Sequence, residues 1–228
     1  METLVLATRN RHKVEEIRAI LGDRLRYRVL TDWPDAPELL ETGRTFAENA
    51  TLKATQVLAW LARRAVNSGE PDPGTPWWVL ADDSGLEVDA LGGAPGVDSA
   101  RFAALDTGAP GNSPDAENNA KLLRLLAGVP AERRTARFRC VLALARWPDP
   151  LPVEPVRLFE GVCEGRIRQT PSGTHGFGYD PLFVPEGYDR TFAELGSDIK
   201  NRISHRARAL DALARWWTQH RHTAGATV

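Results

Sequence analysis

A chain of 228 residues, 42% hydrophobic and 26% charged, can bury a substantial core as one domain or as one domain with two lobes, and this composition excludes disorder. Lysine plus arginine at 29 against aspartate plus glutamate at 30 leaves a formal charge of −1, so no global basic field points to nucleic acid or a membrane, and any anion site must be local. The two cysteines, Cys140 and Cys163, form no metal-type cluster and read as buried thiols, while the apolar start is too short for a signal segment and nowhere do ~18 apolar residues run together, so a cytoplasmic protein is expected.

Residues 3 to 7, "TLVLA", form a short β-type run, followed by polar "TRNRHK" and by "VEEIRAIL", whose Val14, Ile17, Ile20 and Leu21 fall at helical spacing. A second amphipathic helix is expected over residues 45 to 66, because Phe46, Ala50, Leu52, Ala54, Val57, Leu58 and Leu61 recur every three or four residues. "SGEPDPGTP" at 68 to 76 breaks it, and "WWVLA" at 77 to 81 reads as a buried strand that leads into "DDSGLEVDALGGAPGVDSARFA". After the loop "LDTGAPGNSP", a helix fits between Asp115 and the Gly128-Val129-Pro130 stop. "TARFRCVLALARW" and "VRLFEGVCEGRI" are rich in β-formers and predict two long strands joined by a Pro-rich turn at 148 to 155. "ISHRARALDALARWW" returns to helical period. Helices alternating with strands in this order predict an α/β protein with a mixed sheet.

Five polar clusters follow strands or open helices, where α/β folds place ligands. In Thr8 to Lys13 a helix N-terminus offers free N–H groups to phosphate, with Lys13 as a point charge; alternatively Thr8 or Asn10 simply caps the helix. Glu41 stands just ahead of a helix that carries Glu48 and Lys53, a pair that could equally decorate a solvent face. Asp82 and Asp83 follow a strand and should point to opposite sides, so that one ligates a hard cation while the other is held by backbone donors. Glu41 with Asp83 matches the one or two carboxylates that Mg²⁺ takes from a protein, although an Asx-turn closed by Ser84-Gly85 explains the acids as well. In "GTHGFGYDPLF", glycines 173, 176 and 178 allow close approach, Phe177 and Tyr179 offer flat faces to a base, and Asp180 can accept from a ring N–H. In "KNRISHRARAL", Lys200, His205 and Arg206 gather donors at a helix start with Ser204 as N-cap.

Together, "LATRNRHKVEEI", "ETGRTFAENATLKA", "ADDSGLEVDALGGAPGVDSARFA", "GFGYDPLF" and "SHRARAL" resemble the inosine/xanthosine triphosphate pyrophosphatases, in family order and from residue 4 to about 213. The resemblance implies an elongated two-lobed α/β mixed-sheet fold with a central nucleotide-binding cleft, spanning residues 1 to 222 as one domain before a flexible tail at 223 to 228, and usually a homodimer. It implies hydrolysis of ITP, dITP and XTP to monophosphate and pyrophosphate with Mg²⁺ as cofactor. Thr8, Arg9, Asn10, Arg11, His12, Lys13 and Lys53 would hold the triphosphate; Glu41 and Asp83 would serve the metal, Asp83 also accepting the proton. Ser84, Phe177, Gly178, Tyr179, Asp180, Lys200, His205 and Arg206 would surround the nucleotide, Phe177 stacking on the base.

The chain departs from that pattern at Asp98, where an aromatic is common, in the longer loops at 68 to 76 and 105 to 114, and at His175 within the glycine-rich turn. A pyrophosphatase for other modified nucleotides and a non-catalytic nucleotide-binding regulator are the rival readings. "SHR" with "GFGYD" argues against the first, and Glu41, Lys53 and Asp83 together argue against the second.

Overall fold

The computed structural model describes residues 2–68, 77–147 and 155–224, with side chains as far as residue 220. The breaker expected at 68 to 76, the turn at 148 to 155 and the tail at 223 to 228 fall almost wholly outside the described residues.

Strand β1, Thr3–Leu6, is buried at all four positions. It reads as a continuous apolar run because it has parallel partners on both sides, β2 (Arg26–Val29) and β3 (Trp77–Val88), with Thr3 opposite Arg26 on one side and Trp77 on the other. The long strands β4 (Thr135–Trp147) and β5 (Arg157–Ile167) form as expected, and β5 pairs antiparallel with the three-residue β6 (Phe183–Pro185). The six strands lie in the order β2-β1-β3-β4-β5-β6, a mixed sheet in an α/β chain, as the sequence predicts. The helices are α1 (Arg11–Leu21), α2 (Phe46–Ser68), α3 (Asp115–Leu125), α4 (Phe192–Ile203) and α5 (His205–Ala224). Among the described residues no helix is long and apolar enough to cross a membrane.

The chain divides into two compact units, one of residues 1–83, 141–160 and 209–228 and the other of residues 84–140 and 161–208. In the first, Trp78 packs on Trp217 at 5.2 Å and on Trp216 at 5.9 Å. In the second, Leu86, Leu122, Phe138, Phe183 and Phe192 form one buried cluster.

Strand β3 departs from expectation. It does not stop at Ala81 but runs on through Asp82, Asp83, Ser84 and Gly85 to Val88, so the Asx-turn does not form and both acids lie mid-strand. Tertiary pairing overrides the weak β preference of Asp and Gly here. Glycine is required at 85: a Cβ there would stand 2.5 Å from Gly96 O and closer still to Ser99 Oγ, which accepts the Leu86 N–H at 2.9 Å. Asp98, in the same segment, pairs with Arg101 Nε at 2.9 Å.

Candidate active site

In the first unit, the carboxylates of β3 meet the lysines of two helices. Asn10 caps α1, its Oδ1 accepting the Lys13 N–H at 3.2 Å, while Thr8 Oγ1 accepts from Asn10 N at 3.1 Å. Arg9 donates to the carbonyls of Ala36 and Pro37 at 2.7 and 3.0 Å; Arg11 pairs with Glu15 at 2.7 Å, and His12 lies 3.9 Å from the same glutamate. Of this segment it is Lys13 that reaches β3, its Nζ 2.6 Å from Asp82 Oδ1. The Asp82 carboxylate is thus paired with a lysine.

Asp83 takes the other lysine. The buried stripe of α2 is Phe46, Ala50, Lys53, Ala54, Val57 and Leu61, so Lys53 sits among apolar neighbours and is only 4% exposed. Its three protons are matched by three acceptors, Glu41 Oε1 at 2.8 Å, Asp83 Oδ1 at 2.8 Å and Asp82 O at 2.9 Å. Glu48 does not pair with it. Glu48 caps α2 instead, Oε2 accepting from Arg44 N at 2.6 Å and Thr45 N at 3.2 Å while Thr45 Oγ1 accepts the Glu48 N–H at 3.1 Å.

Burial pushes the Asp83 carboxyl above the usual carboxylate range, against the pull of Lys53 and Lys13. Lys53 also rises above its ordinary value: desolvation works against its charge, but Asp83 and Glu41 together prevail. Asp83 Oδ2 is buried and accepts no hydrogen bond from the described residues. Such an orphaned hard oxygen, with the partly exposed Glu41 sharing the same lysine, fits a divalent cation. Among the described residues no group of three or more His, Cys, Asp or Glu gathers as metal ligands, so a cation here would complete its shell from water or phosphate, the habit of Mg²⁺.

The second unit carries the other cluster. Asp180, 1% exposed, accepts on Oδ2 from the Phe177 N–H at 2.9 Å and from Lys200 Nζ at 2.5 Å, and so organises the loop from within. At Gly176 the close approach is to the protein itself, since a Cβ would collide with that same Oδ2. The Lys200 ammonium stands 4.4 Å over the Phe177 ring and the Arg206 guanidinium 5.9 Å from it. Arg206, almost fully buried, donates to Ser84 Oγ at 2.8 Å. His205 stacks on Phe138 with centroids 4.8 Å apart. Ser204 does cap α5, its Oγ accepting the Ala207 N–H at 3.2 Å, but Lys200 belongs to the last turn of α4 rather than to that helix start. Tyr179 lies in the core with its hydroxyl on Ser99 O at 2.8 Å, and burial raises its pKa. Gly178 is bound by Asp115, which the sequence reading marks only as a helix start, and by Asn119, which it does not single out. An Asp and an Asn one helical turn apart at the start of α3 are the only trace they leave.

A model of the Ham1 family matches residues 4–216. A protein named dITP/XTP pyrophosphatase from Geobacillus kaustophilus is 47% identical over 220 residues, covering 96% of this chain and 96% of that protein. One of the same name from Nitratidesulfovibrio vulgaris is 48% identical over 216 residues, 94% of this chain and 95% of its own. Among solved structures, a HAM1 protein from Coxiella burnetii superposes with a TM-score of 0.75 at 37% identity, covering 96% of this chain and 100% of the other.

Proposed function

The chain belongs to the Ham1 family, and from that premise we infer that it hydrolyses non-standard purine nucleoside triphosphates, ITP, dITP and XTP, to the monophosphate and pyrophosphate. The observation that carries the reaction assignment is the pair of buried Asp83 and half-buried Glu41 bridged by Lys53, with Asp83 Oδ2 left without a partner among the described residues.

Water adds to the α-phosphorus, the bond to the β-bridging oxygen breaks, and the water proton passes to Asp83. Lys13 and Lys53 neutralise the triphosphate, and the α1 N-terminus from Thr8 to His12 presents backbone donors to it. Glu41 and Asp83 would hold Mg²⁺, which when bound supplies charge neutralisation and lowers the pKa of nearby water. No covalent intermediate is needed. Ser84 Oγ is occupied by Arg206, and both thiols are buried, with that of Cys163 pushed up to about 11 by desolvation. Phe177 stacks on the base, Lys200, His205 and Arg206 supply donors around it, and Gly178, Tyr179 and Asp180 shape the loop. The same reading makes the chain a cytoplasmic homodimer.

The test is a nucleotide panel assayed for pyrophosphate with and without chelator. ITP, dITP and XTP should yield monophosphate plus pyrophosphate, turnover should fall about tenfold or more in excess chelator, and Mg²⁺ should restore it. Full activity without divalent cation overturns the metal assignment. Preference for a modified pyrimidine favours the related pyrophosphatases, and binding without turnover favours a regulator.

The pH profile gives a second expectation. Asp83 must be ionised to accept a proton, and its native pKa is raised, so the acid limb of kcat/KM, which reports the free enzyme, should lie above the ~4 of an ordinary carboxylate. The sign for stability is opposite: a raised carboxyl favours the protonated native state, and that contribution is lost as pH rises through its folded value. An acid limb at or below ~4 would assign the proton to another group.

A further inference from the structure

One face of α3 grips both backbone polar groups of Gly178. The Gly178 N–H donates to Asp115 Oδ2 at 2.6 Å, and the Gly178 carbonyl accepts from Asn119 Nδ2 at 2.9 Å. The two side chains stand four residues apart, one turn along the helix. Because a carbonyl can only accept, the Asn119 amide is fixed in orientation, and Asn119 is buried. Asp115 is exposed and leaves α3 without a side-chain cap at Pro114, its carboxylate being committed to the loop instead. Between them Asn118 turns to a different loop, accepting from Ala103 N at 2.8 Å and donating to Ala100 O at 3.2 Å.

We propose that Asp115 and Asn119 are positioning residues for base recognition. By holding the peptides on either side of Gly178, they fix the direction in which the preceding Phe177 ring is presented beside Lys200 and Arg206. Gly178 has no side chain with which to anchor itself, so without the clamp its peptides are free to rotate and the aromatic platform loses its preorganisation. Neither residue is given a part in proton transfer. The inference rests on the reading of Phe177 as the surface that stacks on the purine.

Steady-state kinetics with ITP on the full chain decides it. Asn119→Asp keeps the shape but sets an acceptor against the Gly178 carbonyl; Asp115→Ala removes the other grip, and Asp115→Asn retains an acceptor for the Gly178 N–H. Asn119→Asp and Asp115→Ala should raise KM for ITP about tenfold or more with kcat within about threefold, and Asp115→Asn should stay close to the parent chain. Inhibition by inorganic triphosphate, which has no base, should be unchanged in all three. Unchanged KM in Asn119→Asp and Asp115→Ala overturns the proposal, as does a parallel loss of kcat and triphosphate inhibition, which would report general loosening. If Asn119→Asp does not fold, the contrast between Ala and Asn at the exposed position 115 decides alone. Phe177→Ala in the same assay separates the two layers: no rise in its KM means that the platform reading has failed, not the clamp.

Discussion

Replacing Asp83 by asparagine is expected to lower kcat for ITP by roughly 10²-fold or more while nucleotide binding persists, since general-base assistance is typically worth 10² to 10⁴ and a cation ligand loses its charge as well. The geometry makes this a clean experiment. Asparagine Oδ1 can keep the bond from Lys53 Nζ, and that ammonium retains Glu41 and the Asp82 carbonyl, so the surrounding structure stays satisfied. The new Nδ2 exchanges one buried, unpartnered polar atom for another, so the fold should persist in the variant, as thermal unfolding would verify. Single-turnover kinetics with a parallel calorimetric titration separates the two effects. A near-normal kcat moves the proton acceptor to Asp82, whose carboxylate is tied to Lys13.

The second large effect is selectivity among bases. Hypoxanthine and xanthine present a carbonyl at C6, whereas adenine presents an amino group. Lys200 and Arg206 are buried cations that carry hydrogen-bond donors and no acceptor, Lys200 donating to Asp180 and Arg206 to Ser84. Against adenine such donors face another donor and remain desolvated, and a site built to meet a particular hydrogen-bonding group rejects analogues by as much as 10⁴ to 10⁵. ITP and XTP are therefore expected to exceed ATP in kcat/KM by at least ~10²-fold, with a smaller margin over GTP, which shares the C6 carbonyl. Equal kcat/KM for ATP and ITP on the same preparation would refute the assignment of Lys200, His205 and Arg206 to the base.

Local pattern carried much of this. The period of residues 45 to 66 locates α2, the β-formers of 135 to 147 locate β4, and Asn10 and Ser204 cap the helices where their positions suggest. What stayed hidden depends on contacts distant in sequence. Lys53 shares the i, i+4 stripe of Ala50 and Val57, yet a lysine there is read as solvated until Glu41 and Asp83 come into view. Tyr179 offers an aromatic face in sequence, and only the carbonyl of Ser99, 80 residues earlier, turns it into a core residue. Helix α4 contains Gly196 at φ 78°, which interrupts the period, and β6 is three residues long, too short to leave a pattern. Strand β3 ran past its apolar part because partner strands, not its own residues, kept it extended.

The saturated Lys53 ammonium also bears on how such a protein lives with a fluctuating supply of divalent ions. Two neighbouring carboxylates, one buried and one half-buried, would normally repel and strain the chain, but here the protein brings its own counter-ion, covalently attached and never lost by dilution. On the proposed metal assignment, loss of the cation leaves both acids still paired with Lys53, in contrast to small domains that unfold when their ion is stripped away. Scarcity of the cation would then idle the molecule and leave its fold in place.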